Sequence, residues 1–186
     1  QEFAKEVREQ MPDADIVLMH SAFLMPDRAA RERELLQKLG KHSTKAERDH
    51  LIVIGTSVLE QSLDIDGDVM LTDLCPMDLL LQRLGRLHRH PVHDAMRPEQ
   101  LKAAQCYVIE PDEDAFESGT RAIYGDYLLM RTKKRLPDKI TLPADIPNLV
   151  QDCYDDREPD WETEAEKEMY GKAKKEEANK TGHKKT

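Results

Sequence analysis

Leu51-Ile52-Val53-Ile54-Gly55-Thr56-Ser57 is a four-residue apolar run that ends on a glycine and two hydroxyl residues. With no polar face and too little length for a helix, it reads as a strand covered on both sides, the habit of parallel sheets packed between helices. Working outward, Ile16 to Met19 reads as a strand before it, and Val69 to Leu71 and Cys106 to Ile109 as strands after it. Pro26-Asp27 opens a helix whose apolar face runs through Ala29, Leu36 and Leu39 to Gly40, and Pro76 opens another through Leu79, Leu80, Leu81 and Leu84. Strands alternating with helices predict an α/β domain, a mainly parallel sheet flanked by helices in three layers, with ligands at the carboxyl ends of the strands.

The flanks are less regular. Phe3, Ala4 and Val7 have helical spacing and lead into the first strand, while residues 41 to 49 read as a polar loop. Beyond Pro111 a helix is expected over Arg121 to Met130, and prolines at 137, 143 and 147 suggest chain crossing a surface. Eight acidic residues between 155 and 168, followed by six basic ones between 172 and 185, predict a solvated helix or a disordered tail; a partner-binding arm is the alternative. The expected organisation is one domain over 1–135 and an irregular extension with a charged, partly disordered tail over 136–186.

The 186 residues suffice for one ordinary domain with a tail. No apolar run approaches the roughly 20 residues of a membrane span, and the charged first residues do not form a secretory signal. Cys75, Cys106 and Cys153 fit neither a disulfide framework nor a zinc site, so a cytoplasmic location is expected. A net charge of −9 excludes a protein that grips nucleic acid with its whole surface; any such contact must be local.

Two segments carry chemistry. In Gln82-Arg83-Leu84-Gly85-Arg86-Leu87-His88-Arg89-His90, continuation of the helix from Pro76 would set Gln82, Arg86 and Arg89 on one face, opposite Leu80, Leu84 and Leu87. Arginines on a packed element offer rigid, permanently charged forks to phosphate, whereas on an open helix they merely form surface ion pairs. In the second segment, Thr56 and Ser57 stand where a strand meets a helix, a place where hydroxyls and backbone N–H groups hold anions. Ser57 with Glu60 is equally a capping box. Asp64-Ile65-Asp66-Gly67-Asp68 lacks the Gly and Glu of a calcium loop, with Val69 and Cys75 at those positions, and reads as a tight turn.

Residues 55–66, the connection Val69-Met70-Leu71-Thr72-Asp73-Leu74-Cys75-Pro76-Met77-Asp78, and residues 80–90 resemble motifs V and VI of superfamily-two helicases. Their wording is similar to that of the CRISPR-associated helicase–nucleases of type I antiviral systems. His20-Ser21-Ala22-Phe23 followed by Arg28 resembles the motif IV region, and the likeness extends over about residues 3–110. It implies the second RecA-like lobe of an ATP-dependent DNA helicase. Arg86 and Arg89 would be arginine fingers on ATP, with Gln82 beside them, and Asp64 would contact the ribose or couple motif V to the nucleotide. Thr56 and Ser57 would touch phosphates of single-stranded DNA, with His20, Ser21 and Arg28 near its path.

The resemblance also implies ATP and Mg2+ as cofactors of a two-lobed enzyme. Its partners would be a first helicase lobe, a nuclease domain and a CRISPR RNA-guided surveillance complex. No Gly-x-x-x-x-Gly-Lys-Ser/Thr loop, magnesium box or His-Asp nuclease pair occurs in the sequence, so this chain alone is expected to bind neither cofactor. His88, His90 and His93 read as motif VI geometry plus an exposed loop before Pro91. The family's lobe opens with a strand, so Gln1 is expected to be a cut edge. The rival readings are a lobe of a DNA-repair or RNA helicase and a non-catalytic interaction module.

Overall fold

The computed structural model describes residues 2–20, 25–56, 59, 63–110, 116 and 118–183. It divides into two compact units, one of residues 1–70 and 82–105, the other of residues 71–81 and 106–186. The α/β reading holds: helices alternate with strands, and the described strands pair as β1–β2 and as β3–β4.

In the first unit, α1 (Glu2–Gln10) buries Ala4 and leads to β1 (Asp15–Met19). Helices α2 (Met25–Leu39) and α3 (Lys45–Arg48) carry the chain to β2 (Leu51–Gly55), which pairs parallel to β1 with Met19 opposite Gly55. Val17, Met19, Leu35, Leu63 and Ile65 form the core, with Leu39, Leu51, Val53 and Leu59 packed on it. The inward face of α2 therefore passes through Leu35 rather than Leu36, which is 39% exposed.

Residues 41–49 are not all loop. Thr44 and Glu47 make a reciprocal capping box around α3, Thr44 N–H donating to Glu47 Oε2 at 2.8 Å and Glu47 N–H to Thr44 Oγ1 at 3.4 Å. At the end of α2, Gly40 bridges to Ile65, and Asp66 N–H donates to Leu39 O at 2.9 Å. A Cβ on Gly40 would stand 2.2 Å from the Leu36 carbonyl oxygen, so the tight turn that ends α2 uses the missing side chain.

The second unit holds most of β3 (Val69–Asp73) and β4 (Gln105–Ile109), and the start of α4 (Met77–Leu84). The single helix expected over 121–130 is two, α5 (Ser118–Tyr124) and α6 (Asp126–Arg135), separated by Gly125 at φ 75°, a left-handed conformation that glycine adopts without strain. Pro137 and Pro143 precede α7 (Ile146–Tyr154), whose first turn holds Pro147, and the charged run from Glu164 onward lies in α8 (Glu164–His183), which is helix without being solvated all round: Tyr170 and Ala173 are buried. They join Leu74, Phe116, Leu129 and Met130 in this unit's core.

Among the described residues no helix is long and apolar enough to cross a membrane.

Candidate functional site

Helix α4 stops at Leu84 and does not reach His90. Gly85 follows, and the chain then leaves helical pairing for a bridge to Gly67: Gly67 N–H donates to Arg86 O at 2.7 Å, and His88 N–H to Gly67 O at 3.0 Å. His88 sits at φ 49°, uncommon for a residue with a Cβ, and its Nε2 lies 3.0 Å from the Asp68 carbonyl. Gln82, Arg86 and Arg89 are consequently not joined by helical spacing, because a competing backbone pairing takes over at residue 86.

Each guanidinium nevertheless has a nearby anchor. Arg86 Nη1 donates to Gln82 O at 2.5 Å, and Arg89 Nη1 to Gly85 O at 3.2 Å. Arg89 Nε donates to Asp64 Oδ1 at 2.6 Å, and His90 Nε2 lies 3.1 Å from the same oxygen. Asp64 and Arg89, 25 residues apart in sequence, thus meet as an ion pair that remains about half exposed. Two guanidinium groups on neighbouring backbone offer permanently charged donors to an anionic ligand. Among the described residues no group of three or more His, Cys, Asp or Glu side chains is arranged to hold a metal.

Thr56 and His20 lie at the carboxyl ends of adjacent parallel strands, where Thr56 N–H donates to Met19 O at 3.1 Å. Thr56 is exposed. Arg28 is on α2, where its Nε donates to Glu32 Oε1 at 2.9 Å. Ser21 and Ser57, and the capping box of Ser57 with Glu60, lie outside the described residues.

Beneath the Asp64–Arg89 pair is a charged cluster that the sequence reading does not contain. Asp66, read as part of a turn, is wholly buried. Its two oxygens accept Arg97 Nη2 at 3.0 and 2.8 Å, Oδ2 accepts His93 Nδ1 at 2.5 Å, and Oδ1 accepts the backbone N–H of Arg89 at 2.9 Å. Asp68 accepts Arg97 Nη1 and, at 2.6 Å, Arg48 Nη2, which also donates to Asp66 O at 2.7 Å. His93, expected on an exposed loop, is 1% exposed. No local pattern announces this cluster, since Arg97 and Arg48, the compensating cations, are distant in sequence.

Burial alone would raise the Asp66 pKa. Hydrogen bonds from His93 and Arg97, the Arg97 charge and the Arg89 N–H outweigh it and hold the carboxyl below its ordinary value. A depressed folded-state pKa contributes stability above the unfolded carboxylate value of about 3.9, and that stability is lost as pH falls through the lower, folded value. Urea midpoints followed down through the carboxylate range are expected to fall on this limb, and Asp66→Asn to flatten it. An unchanged acid limb in that variant would show that Asp66 does not carry it.

Residues 1–92 match a family model described as the C-terminal part of the CRISPR-associated nuclease/helicase Cas3. A CRISPR-associated nuclease/helicase Cas3 of Streptococcus thermophilus is 49% identical over 155 residues, which is 83% of this chain and 16% of that protein. Among solved structures, T. fusca Cas3 with AMPPNP superposes with a TM-score of 0.76 at 30% identity, covering 92% of this chain and 20% of that one. A chain of a CRISPR RNA-guided surveillance complex in a pre-nicking state superposes with a TM-score of 0.75 at 31% identity, over 93% of this chain and 22% of that one. This chain therefore spans about a sixth to a fifth of the length of these relatives.

Proposed function

The chain belongs to the Cas3 family of CRISPR-associated nuclease/helicases, as its C-terminal helicase region, and from that premise we propose that it is the arginine-bearing lobe of an ATP-driven DNA translocase. Residues 1–135 form the lobe in this reading, and 136–186 an extension of it. ATP binds between this lobe and a nucleotide-binding lobe that carries the phosphate loop and the magnesium ligands. Arg86 and Arg89 would meet the charge gathering on the γ-phosphoryl oxygens as a water oxygen bonds to the γ-phosphorus and its bond to the β–γ bridging oxygen breaks, releasing ADP and phosphate, with Gln82 beside them.

The observation that carries this reading is the Asp64–Arg89 pair, which joins the two sequence motifs at one point. It favours coupling over ribose contact as the role of Asp64. In the present state Arg89 is held by Asp64, and Arg86 by the Gln82 carbonyl, so each fork exchanges a protein acceptor for phosphate when the lobes close. Thr56 and Ser57 hold phosphates of a single DNA strand, with His20, Ser21 and Arg28 along its path. Cycles of closure and opening then move the strand in steps. A nuclease domain and an RNA-guided surveillance complex are the partners of this engine.

The test is complementation. The chain alone, with single-stranded DNA and Mg2+, is expected to show no ATP turnover above buffer; joined to a lobe with a phosphate loop, it is expected to show DNA-stimulated turnover. A joined protein that binds ATP and DNA yet never hydrolyses would favour a docking module instead.

A further inference from the structure

We propose that Asp66, held by Arg97, is a positioning residue for Arg89, and that residues 66–68 form the template on which both arginines are hung. This rests on the reading of Arg89 as a finger. The arginine-bearing segment 86–89 lies beyond α4, which ends at Leu84, and is tied to it by single-turn bonds, Arg86 N–H to Arg83 O at 2.9 Å and Leu87 N–H to Leu84 O at 3.0 Å. Three further contacts fix its backbone against residues 66–67: Arg86 O on Gly67 N–H, His88 N–H on Gly67 O, and Arg89 N–H on Asp66 Oδ1. Two of these are ordinary backbone bonds. The third is a buried carboxylate, and it falls on Arg89 itself.

A carboxylate swings about its Cβ–Cγ bond unless both oxygens are engaged. Arg97 Nη2 bonds both oxygens of Asp66, and His93 Nδ1 bonds Oδ2, so the plane is locked with Oδ1 toward the Arg89 N–H. Arg97 is itself anchored on Asp68, which shares Arg48, and the Asp68 carbonyl receives the His88 ring. Gathering two carboxylates and two guanidinium groups in a nearly dry site is a poor route to stability, since well-packed apolar groups commonly do as well. What the cluster supplies is one geometry. A displacement near 1 Å at a catalytic group costs on the order of 10²-fold in rate, which sets the scale at which such a template matters.

The experiment is a mutant cycle in the two-lobed enzyme, with single-turnover hydrolysis of labelled ATP and a melting curve for each protein. Asp66→Asn is expected to lower the rate about 10- to 100-fold while KM for ATP and DNA affinity stay within about threefold. In an Arg89→Ala background the same substitution is expected to cost less than about twofold, because the side chain that Asp66 positions is gone while Arg86 keeps its own bond to Gly67. Arg97→Lys keeps the charge of the cluster, loses the fork, and is expected to act in the same direction. A Asp66→Asn enzyme near wild type beside a collapsed Arg89→Ala enzyme would overturn the proposal and leave the finger reading intact. An undiminished cost in the Arg89→Ala background would overturn it too, as would failure of both cluster variants to fold, since the cluster would then be structural. An Arg89→Ala enzyme near wild type would end both readings.

Discussion

Arg89→Ala, in the enzyme with both lobes present, is expected to lower DNA-stimulated ATP hydrolysis by about 10³ to 10⁵, the worth of an arginine finger. Arg86→Ala is expected to fall in the same range, and DNA affinity to change less than about twofold in either. The specificity of the effect follows from the contacts. The Asp64–Arg89 pair is about half exposed and so contributes little to folding, at most about 1 kcal/mol by the usual worth of surface pairs. A large loss of rate with an unmoved melting curve is then chemistry rather than damage. The backbone N–H that bonds Asp66 survives the substitution, so the template under the segment stays intact. Turnover near wild type from both variants, with the fold preserved, would reduce residues 82–90 to a packed surface element.

The strand at 51–55 was legible because four consecutive apolar residues with no polar face admit few other readings, and its parallel partner at 15–19 because the spacing between them accommodates a helix. The candidate residues were legible for a different reason: their wording in motifs V and VI carries the likeness, and no periodicity supplies it. Periodicity in fact misplaced them. Extending α4 through His90 ignored Gly85 and could not register that Gly67, far upstream, offers the segment a competing bridge. The Asp66 cluster was illegible because its members stand up to 49 residues apart, from Arg48 to Arg97, and each alone looks like a solvated charge. Leu35 against Leu36 shows the limit of helical phase: both are apolar neighbours, and only the position of β1 and β2 decides which is buried. Helix α3 has no apolar run to announce it, only the cap Thr44 and its partner Glu47.

Arg131 is where the second unit is expected to be most sensitive. Its side chain is 1% exposed, and it donates from Nε to Cys153 O at 2.5 Å and from Nη2 to Asp152 O at 3.3 Å and Asp155 O at 2.8 Å. Those carbonyls belong to the last turn of α7 and the residue after it, where an α-helix has no N–H donors of its own for them. A cation there also complements the helix dipole. Nη1 donates to Tyr170 OH at 2.8 Å, tying α6 to α8. Arg131→Met keeps much of the volume and removes every donor, which leaves several buried acceptors unpaired at about 1–3 kcal/mol each before relaxation. A net loss of about 3–5 kcal/mol is expected, the range for removing one side of a buried charged contact. Arg131→Lys is expected to lose roughly half as much, having charge without the planar fork. Trp161 makes the measurement direct. It is the sole tryptophan, its ring centroid lies 4.7 Å from that of Tyr170, and its fluorescence during urea unfolding reports this unit. A midpoint shift below about 0.5 kcal/mol for Arg131→Met, the scale of an ordinary surface substitution, would show that α7 and α8 hold their places without it.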